Sequence, residues 1–70
     1  MNTIEITKEP VELYKILKFE GLAESGGQAK AMIDAGLVLL NGEVETQKRK
    51  KIMGGDIITV EDHHFSIQRL

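Results

Sequence analysis

The sequence predicts an α+β domain: a short N-terminal strand, two packed helices and then a small curled antiparallel sheet. Three observations support this fold class. Apolar residues recur at three- and four-residue spacing in the first half of the chain, the period changes to two beyond Gly36, and the Asn41-Gly42 pair is a strong hairpin signal. A chain of 70 residues accommodates one small core, so we expect a single domain over residues 1–70.

The first elements follow from apolar spacing. Thr3–Thr7 alternates apolar and polar residues, which predicts a half-buried strand. Pro10 suits the first turn of a helix, and the acidic residues Glu9 and Glu12 would lie at the positive end of the helix dipole. We therefore predict a helix over Val11–Glu20 that ends at Gly21, with one apolar face made of Leu13, Ile16 and Leu17.

The second helix has a clearer start signal. Ser25 and Gln28 are spaced as a capping box, in which the serine hydroxyl accepts from the backbone N–H three residues on and the glutamine side chain reaches back. Gly36 can adopt the left-handed conformation that ends a helix. The inward face of this helix is predicted to contain Ala29, Met32 and Ile33.

Strands are predicted for the rest of the chain. Leu37–Leu40 indicates a buried strand, and Asn41-Gly42 provides two residues that tolerate positive φ at the hairpin turn. The return strand is predicted over Glu43–Thr46, and Gly54, Gly55 and Asp56 predict a turn. Two more strands follow, Ile57–Val60 and Phe65–Leu70, with a loop around Glu61, Asp62 and His63.

Composition excludes several classes of protein. The chain is 41% hydrophobic and 29% charged, which is typical of a globular domain, and it has no cysteine for disulfides or thiolate metal sites. No apolar run approaches the roughly 20 residues that span a bilayer, and the N-terminus lacks the order of a signal peptide. We expect a monomer in the cytoplasm, without membrane association or a cofactor.

No residue pattern indicates catalysis. No local pair is spaced as a nucleophile and its base, so we expect no enzymatic activity. His63 and His64 are adjacent and have no third ligand nearby, which favours exposed loop histidines over a metal site. The three aromatic residues Tyr14, Phe19 and Phe65 are too far apart in the sequence to predict a shared base-stacking platform.

Charge is unevenly distributed along the chain. The net charge is −2, yet residues 26–55 hold five cations against three acids. Four of those cations are consecutive: Lys48, Arg49, Lys50 and Lys51. Adjacent cations repel one another, and a phosphate backbone is the usual partner of such a run, although a solvated loop would contain the same residues.

The start of the second helix is a second candidate site. Gly26 and Gly27 would leave backbone N–H groups open to an anion at the positive end of the helix dipole. Lys30, one turn later, would add a positive charge. The alternative is that the two glycines only form a tight turn that requires positive φ.

Taken together, residues 13–60 resemble the RNA-binding domain family named after ribosomal protein S-four, also called the alpha-L motif. The resemblance rests on an ordered set of short segments: Gly21-Leu22-Ala23-Glu24-Ser25, Gln28-Ala29-Lys30, Met32-Ile33, Gly36, Val38, Leu40-Asn41-Gly42-Glu43-Val44, and Gly55-Asp56 with Ile58 and Val60. Such an ordered set is more specific than any single segment within it.

This resemblance implies a fold, a ligand and a site. It implies two packed helices followed by a small sheet, and it implies binding to structured ribosomal or transfer RNA, here by a small stand-alone protein that could associate with the ribosome. By position, the RNA-binding residues would be Ser25, Gly26, Gly27, Gln28, Lys30, Asn41, Gly42, Lys48, Arg49, Lys50 and Lys51.

The chain departs from the family at four positions, three of which are commonly basic. Gly26 replaces an arginine and Gly27 a serine, Glu12 replaces an arginine of the first helix, and Ala31 replaces another basic residue. RNA contact would then depend on Lys48 to Lys51 and on backbone N–H groups. The competing hypothesis is a protein-interaction adaptor that has lost most RNA-binding cations and uses its acidic faces on a basic partner.

Overall fold

The computed structural model describes all residues, 1–70, and arranges two helices and seven strands in one α+β unit. In chain order the elements are β1 (Asn2–Ile6), β2 (Val11–Glu12), α1 (Leu13–Phe19), α2 (Gly26–Asp34), β3 (Val38–Leu40), β4 (Glu43–Val44), β5 (Lys51–Ile52), β6 (Ile57–Val60) and β7 (His63–Arg69). Neither helix has the length and the run of apolar residues that crossing a membrane would require.

The main sheet is mixed rather than purely antiparallel. Its strand order is β1-β7-β6-β3-β4, and β1 pairs with β7 in parallel, with Ile4 opposite Ile67. The other three pairings are antiparallel, as predicted. The sequence predicted antiparallel pairing only for the strands after the helices and named no partner for the N-terminal strand. The long connection through both helices lets β1 pair with β7 in parallel, which a tight hairpin does not allow.

The first helix begins later than predicted. Val11 and Glu12 form β2, which pairs with Ile52 and Lys51 of β5, so α1 starts at Leu13. Pro10, which follows a cis peptide bond, precedes this strand and is not in the helix. Glu9 therefore lies before β2, away from the first turn of α1, and the prediction was wrong for it. Glu12 is the N-cap residue of α1, at the positive end of the helix, and its side chain makes no capping hydrogen bond.

The second helix has the predicted caps with one difference. The Ser25 hydroxyl accepts a hydrogen bond from the Gln28 N–H at 3.0 Å, as a capping box requires. The Gln28 side-chain oxygen accepts from the N–H of Glu24 rather than from that of Ser25. At the other end Gly36 has φ of +79°, the left-handed conformation predicted for it.

The hairpin and later strands differ from prediction mainly in length. Asn41 and Gly42 both have positive φ, as the turn requires. The return strand β4 ends at Val44 instead of Thr46, because the Glu45 carboxylate accepts from the Gln47 N–H at 3.0 Å and turns the chain. The last strand starts earlier than predicted and includes both histidines, which therefore lie in β7 and not in a loop.

Both helices pack their apolar faces on the main sheet. α1 buries Leu13, Ile16 and Leu17, and α2 buries Ala29 and Ile33, while Met32 is only half-buried. The sheet contributes the rest of the core, namely Ile4, Ile6, Val38, Ile58, Val60, Phe65 and Ile67, and Ala23 and Ile52 complete it. This packing leaves the outer side of α1 and the start of α2 free to form a surface.

We predict opposite effects of alanine at two glycines. Gly36→Ala should lower the free energy of unfolding by about 1 kcal/mol, because its φ of +79° strains any residue with a Cβ. Gly27→Ala should raise it by about 0.5 kcal/mol, since Gly27 is helical and an added Cβ meets only Ser25 Oγ, at 3.8 Å. Urea unfolding of both variants tests this, and destabilisation by Gly27→Ala would contradict it.

Candidate nucleic-acid interface

The ring of Tyr14 lies among cations from three separate parts of the chain. Lys30 Nζ of α2 is 4.6 Å from the ring centroid, the Arg49 guanidinium carbon is at 5.5 Å, and Lys15 Nζ is at 6.0 Å. A cation within about 6 Å of an aromatic face is attracted by the negative face of the ring. The ring therefore holds together positive charges that would otherwise repel one another.

The start of α2 contacts the same ring. A Cβ added at Gly26 would lie 3.7 Å from Tyr14 Cε2 and 4.0 Å from Lys18 Cδ, so this end of α2 is directly beside α1. The first hydrogen bond of α2 runs from the Ala29 N–H to the Ser25 carbonyl, at 3.0 Å. The N–H groups of Gly26 and Gly27 precede that bond and point out of the positive end of the helix.

The loop 45–50 is held against α1 by its backbone. The Leu13 N–H donates to the Lys50 carbonyl at 2.9 Å, and the Tyr14 N–H donates to the Lys48 carbonyl at 3.1 Å. These carbonyls satisfy two of the N–H groups that the start of any helix leaves unpaired. The backbone of this loop is thus structural, while the side chains of Lys48 and Arg49 stay exposed.

Together these residues form one cationic patch, which we call the Tyr14 surface: Tyr14, Lys15, Lys18, Gly26, Gly27, Lys30, Lys48 and Arg49. One acid lies at its edge. The Glu12 carboxylate is 3.2 Å from Lys15 Nζ and 3.6 Å from Arg49 Nη1. Ion pairs this exposed contribute about 0–1 kcal/mol, so an incoming phosphate can compete for either cation.

Comparison with known proteins identifies the family. The sequence model of the S4 domain family matches residues 4–68, which is nearly the whole chain. This chain belongs to the S4 domain family.

Two relatives and one solved structure are similar to this S4 domain over most of its length. It is 44% identical to "Putative RNA-binding protein YbcJ" of Escherichia coli, over 96% of this chain and 97% of that protein. It is 33% identical to "Probable ribosome maturation protein RlbA" of Bacillus subtilis, over 86% and 84% respectively.

The solved structure is that of YbcJ from E. coli, described as revealing an alpha-L motif involved in RNA binding. It superposes with a TM-score of 0.73 at 43% identity, covering 97% of this chain and 87% of that one. The α+β fold that the sequence predicted is therefore also the fold of a solved relative.

The S4 domain brings together some of the predicted site residues. Gly26, Gly27, Lys30, Lys48 and Arg49 belong to the Tyr14 surface. Both glycines are helical, and neither has positive φ, so the alternative that they form a turn requiring positive φ was wrong. Ser25 and Gln28 lie at the same end of α2, where their side chains cap the helix.

Asn41 and Gly42 lie apart from these residues, at the tip of the β3–β4 hairpin. The Asn41 side chain is engaged within the protein, because its Nδ2 donates to Asp56 Oδ1 at 3.1 Å and its Oδ1 accepts from the Ile57 N–H at 2.8 Å. The groove beside this hairpin is lined by Lys50 and Lys51 and by three acids, Glu43, Glu45 and Asp56. The basic run is therefore spread over more than one surface, since Lys48 and Arg49 belong to the Tyr14 surface, Lys50 lines this groove, and Lys51 lines both this groove and the one beside Phe19.

Sequence reasoning missed three members of the Tyr14 surface: Tyr14, Lys15 and Lys18. All three lie on α1 outside its buried face, and Tyr14 and Lys18 are one helical turn apart. That spacing was a signal available in the sequence. Their contact with Lys30 and Arg49 was not, because it depends on how α2 and the loop 45–50 pack on α1.

We predict that reversing two loop charges leaves the fold intact. Arg49→Glu combined with Lys50→Glu keeps both backbone carbonyls in place, so the free energy of unfolding should change by about 0.5 kcal/mol or less. Thermal and urea unfolding measure this change. Loss of cooperative unfolding in the double variant would contradict the assignment of the structural role to the loop backbone.

Proposed function

We propose that this protein binds structured RNA through the Tyr14 surface, and that the RNA is ribosomal or transfer RNA. It acts in the cytoplasm as a monomer, without catalysis. The proposal is supported by membership of the S4 domain family, by the RNA binding described for the alpha-L motif of YbcJ, and by the name of the B. subtilis relative, which refers to ribosome maturation.

The observation that carries the proposal is convergence of charge. The chain has a net charge of −2, yet Lys15, Lys30 and Arg49 surround one tyrosine ring, and Lys18 and the start of α2 lie beside it. A local field of this kind attracts an anion whatever the total charge of the protein. Phosphates of a folded RNA, spaced along its backbone, match several separate cations better than a single small anion does.

The Tyr14 surface favours recognition of backbone shape over base sequence. Lysine and arginine side chains and exposed N–H groups are the donors that phosphate oxygens accept from, and such contacts position a protein on RNA without reading its bases. Double-stranded RNA presents its phosphates and 2′-hydroxyls in a regular A-form arrangement. Arg49 can donate a bidentate pair of hydrogen bonds to one phosphate, while Lys18, Lys30 and Lys48 each contribute a single positive charge.

Salt dependence of binding tests this function. Four phosphates neutralised by Lys18, Lys30, Lys48 and Arg49 predict that log K falls against log salt concentration with a slope of roughly −3 to −4. Filter binding to a blunt RNA hairpin measures the slope. Lys30→Gln should make the slope less negative by about one, whereas Arg69→Gln, a matched loss of one charge outside the Tyr14 surface, should leave it unchanged.

A slope near zero would contradict phosphate binding. It would favour instead the adaptor hypothesis, in which acidic faces of the same fold bind a basic protein.

Substitution of Gly26 separates charge from shape at the start of α2. Gly26→Asp places a carboxylate beside the exposed N–H groups, where it would repel a phosphate, so RNA affinity should drop by about tenfold. The fold should be retained, because a negative charge at the start of a helix interacts favourably with the helix dipole. Gly26→Ala is the matched control, because its Cβ makes ordinary contact with Tyr14 and carries no charge. Equal loss of RNA affinity in both variants would contradict an electrostatic role for this end of the helix.

A further inference from the structure

A groove next to the Tyr14 surface contains an exposed aromatic ring among lysines. We propose that this groove binds an unpaired nucleotide of the RNA, whose base stacks on Phe19 and whose phosphates contact the surrounding lysines. This inference rests on the proposed function and adds to it the class of RNA: a folded RNA with a bulged or single-stranded nucleotide next to a helical stem.

The geometry of the groove suits a nucleotide. Its volume is about 490 Å³, and it is lined by Phe19, Pro10 and Val11 together with three lysines and one acid, Lys8, Lys15, Lys51 and Glu12. Phe19 is 70% exposed, in contrast to Phe65, which is 8% exposed and belongs to the core. Most of the Phe19 side chain is therefore accessible to a ligand.

The charges in the groove favour a nucleic acid over a protein segment. Glu12, the one acid in the lining, is already paired with Lys15 and Arg49. Lys8 and Lys51 make no ion pair, and Lys18 Nζ lies 5.9 Å from the Phe19 ring centroid. An aromatic face combined with free cations is the arrangement by which proteins bind single-stranded nucleic acid.

Two lysines join this groove to the Tyr14 surface. Lys15 lines the groove and is also 6.0 Å from the Tyr14 ring centroid. Lys18 lies beside Gly26 through its Cδ and beside Phe19 through its Nζ. An RNA stem on the Tyr14 surface would thus bring an adjacent unpaired nucleotide within reach of Phe19. A perfectly paired stem would leave the ring uncovered.

Two RNA probes and two Phe19 variants test the proposal. The probes are a blunt, fully paired RNA duplex of two strands and the same duplex with a single adenosine bulged from one strand. Phe19→Leu keeps an apolar side chain but removes the aromatic face. Phe19→Trp keeps that face and introduces the only tryptophan of the chain, which reports stacking through quenching of its fluorescence. Thermal unfolding of each variant confirms that it is folded.

The expected result is a difference between the probes. The unmodified protein should bind the bulged duplex about tenfold more tightly than the fully paired one. Phe19→Leu should abolish that difference, and only the bulged duplex should quench the fluorescence of Phe19→Trp. Unchanged preference for the bulged duplex in Phe19→Leu, or equal weakening with both probes, would overturn the nucleotide groove alone. Failure of the unmodified protein to bind either probe would overturn the proposed function and the groove with it.

Discussion

The candidate site depends on two backbone hydrogen bonds at the start of α1. The Leu13 and Tyr14 N–H groups donate to the carbonyls of Lys50 and Lys48, which fixes the loop 45–50 against the helix. A run of four cations would otherwise move apart in a solvated loop, since like charges repel. Because the backbone supplies the attachment, the side chains of Lys48 and Arg49 are left exposed for a ligand. One contact thus stabilises the helix start and positions the charges.

Tyr14 completes this arrangement from within the helix. Its ring is half-buried between α1, α2 and the loop, and it lies close to cations from all three. Gly26 permits α2 to begin directly against the ring, which also brings the positive end of that helix to the same surface. At this end of α2 the N–H groups of Gly26 and Gly27 have no side chain in front of them, and Gly26 lies beside Tyr14 and Lys18.

Much of the fold could be predicted from the sequence because its signals are local. The capping box of Ser25 and Gln28, the left-handed Gly36 and the Asn41-Gly42 turn each depend on a few neighbouring residues. The parallel pairing of β1 with β7 and the pairing of β2 with β5 join residues more than 35 positions apart, so no local pattern reveals them. Pro10 was wrongly predicted to lie in the first turn of α1 for the same reason, because the residues that follow it pair with the distant strand β5 instead of starting the helix.

The site was less predictable than the fold, since residues from α1, α2 and the loop 45–50 come into contact only when these elements pack together.

Mapping of amide chemical shifts tests most directly whether the Tyr14 surface binds RNA. Isotope-labelled protein is titrated with a blunt RNA hairpin. The account predicts that the largest shifts occur at Tyr14, Gly26, Gly27, Lys30 and Arg49. Shifts centred instead on the β3–β4 hairpin at Asn41–Val44, with the start of α2 unaffected, would contradict it.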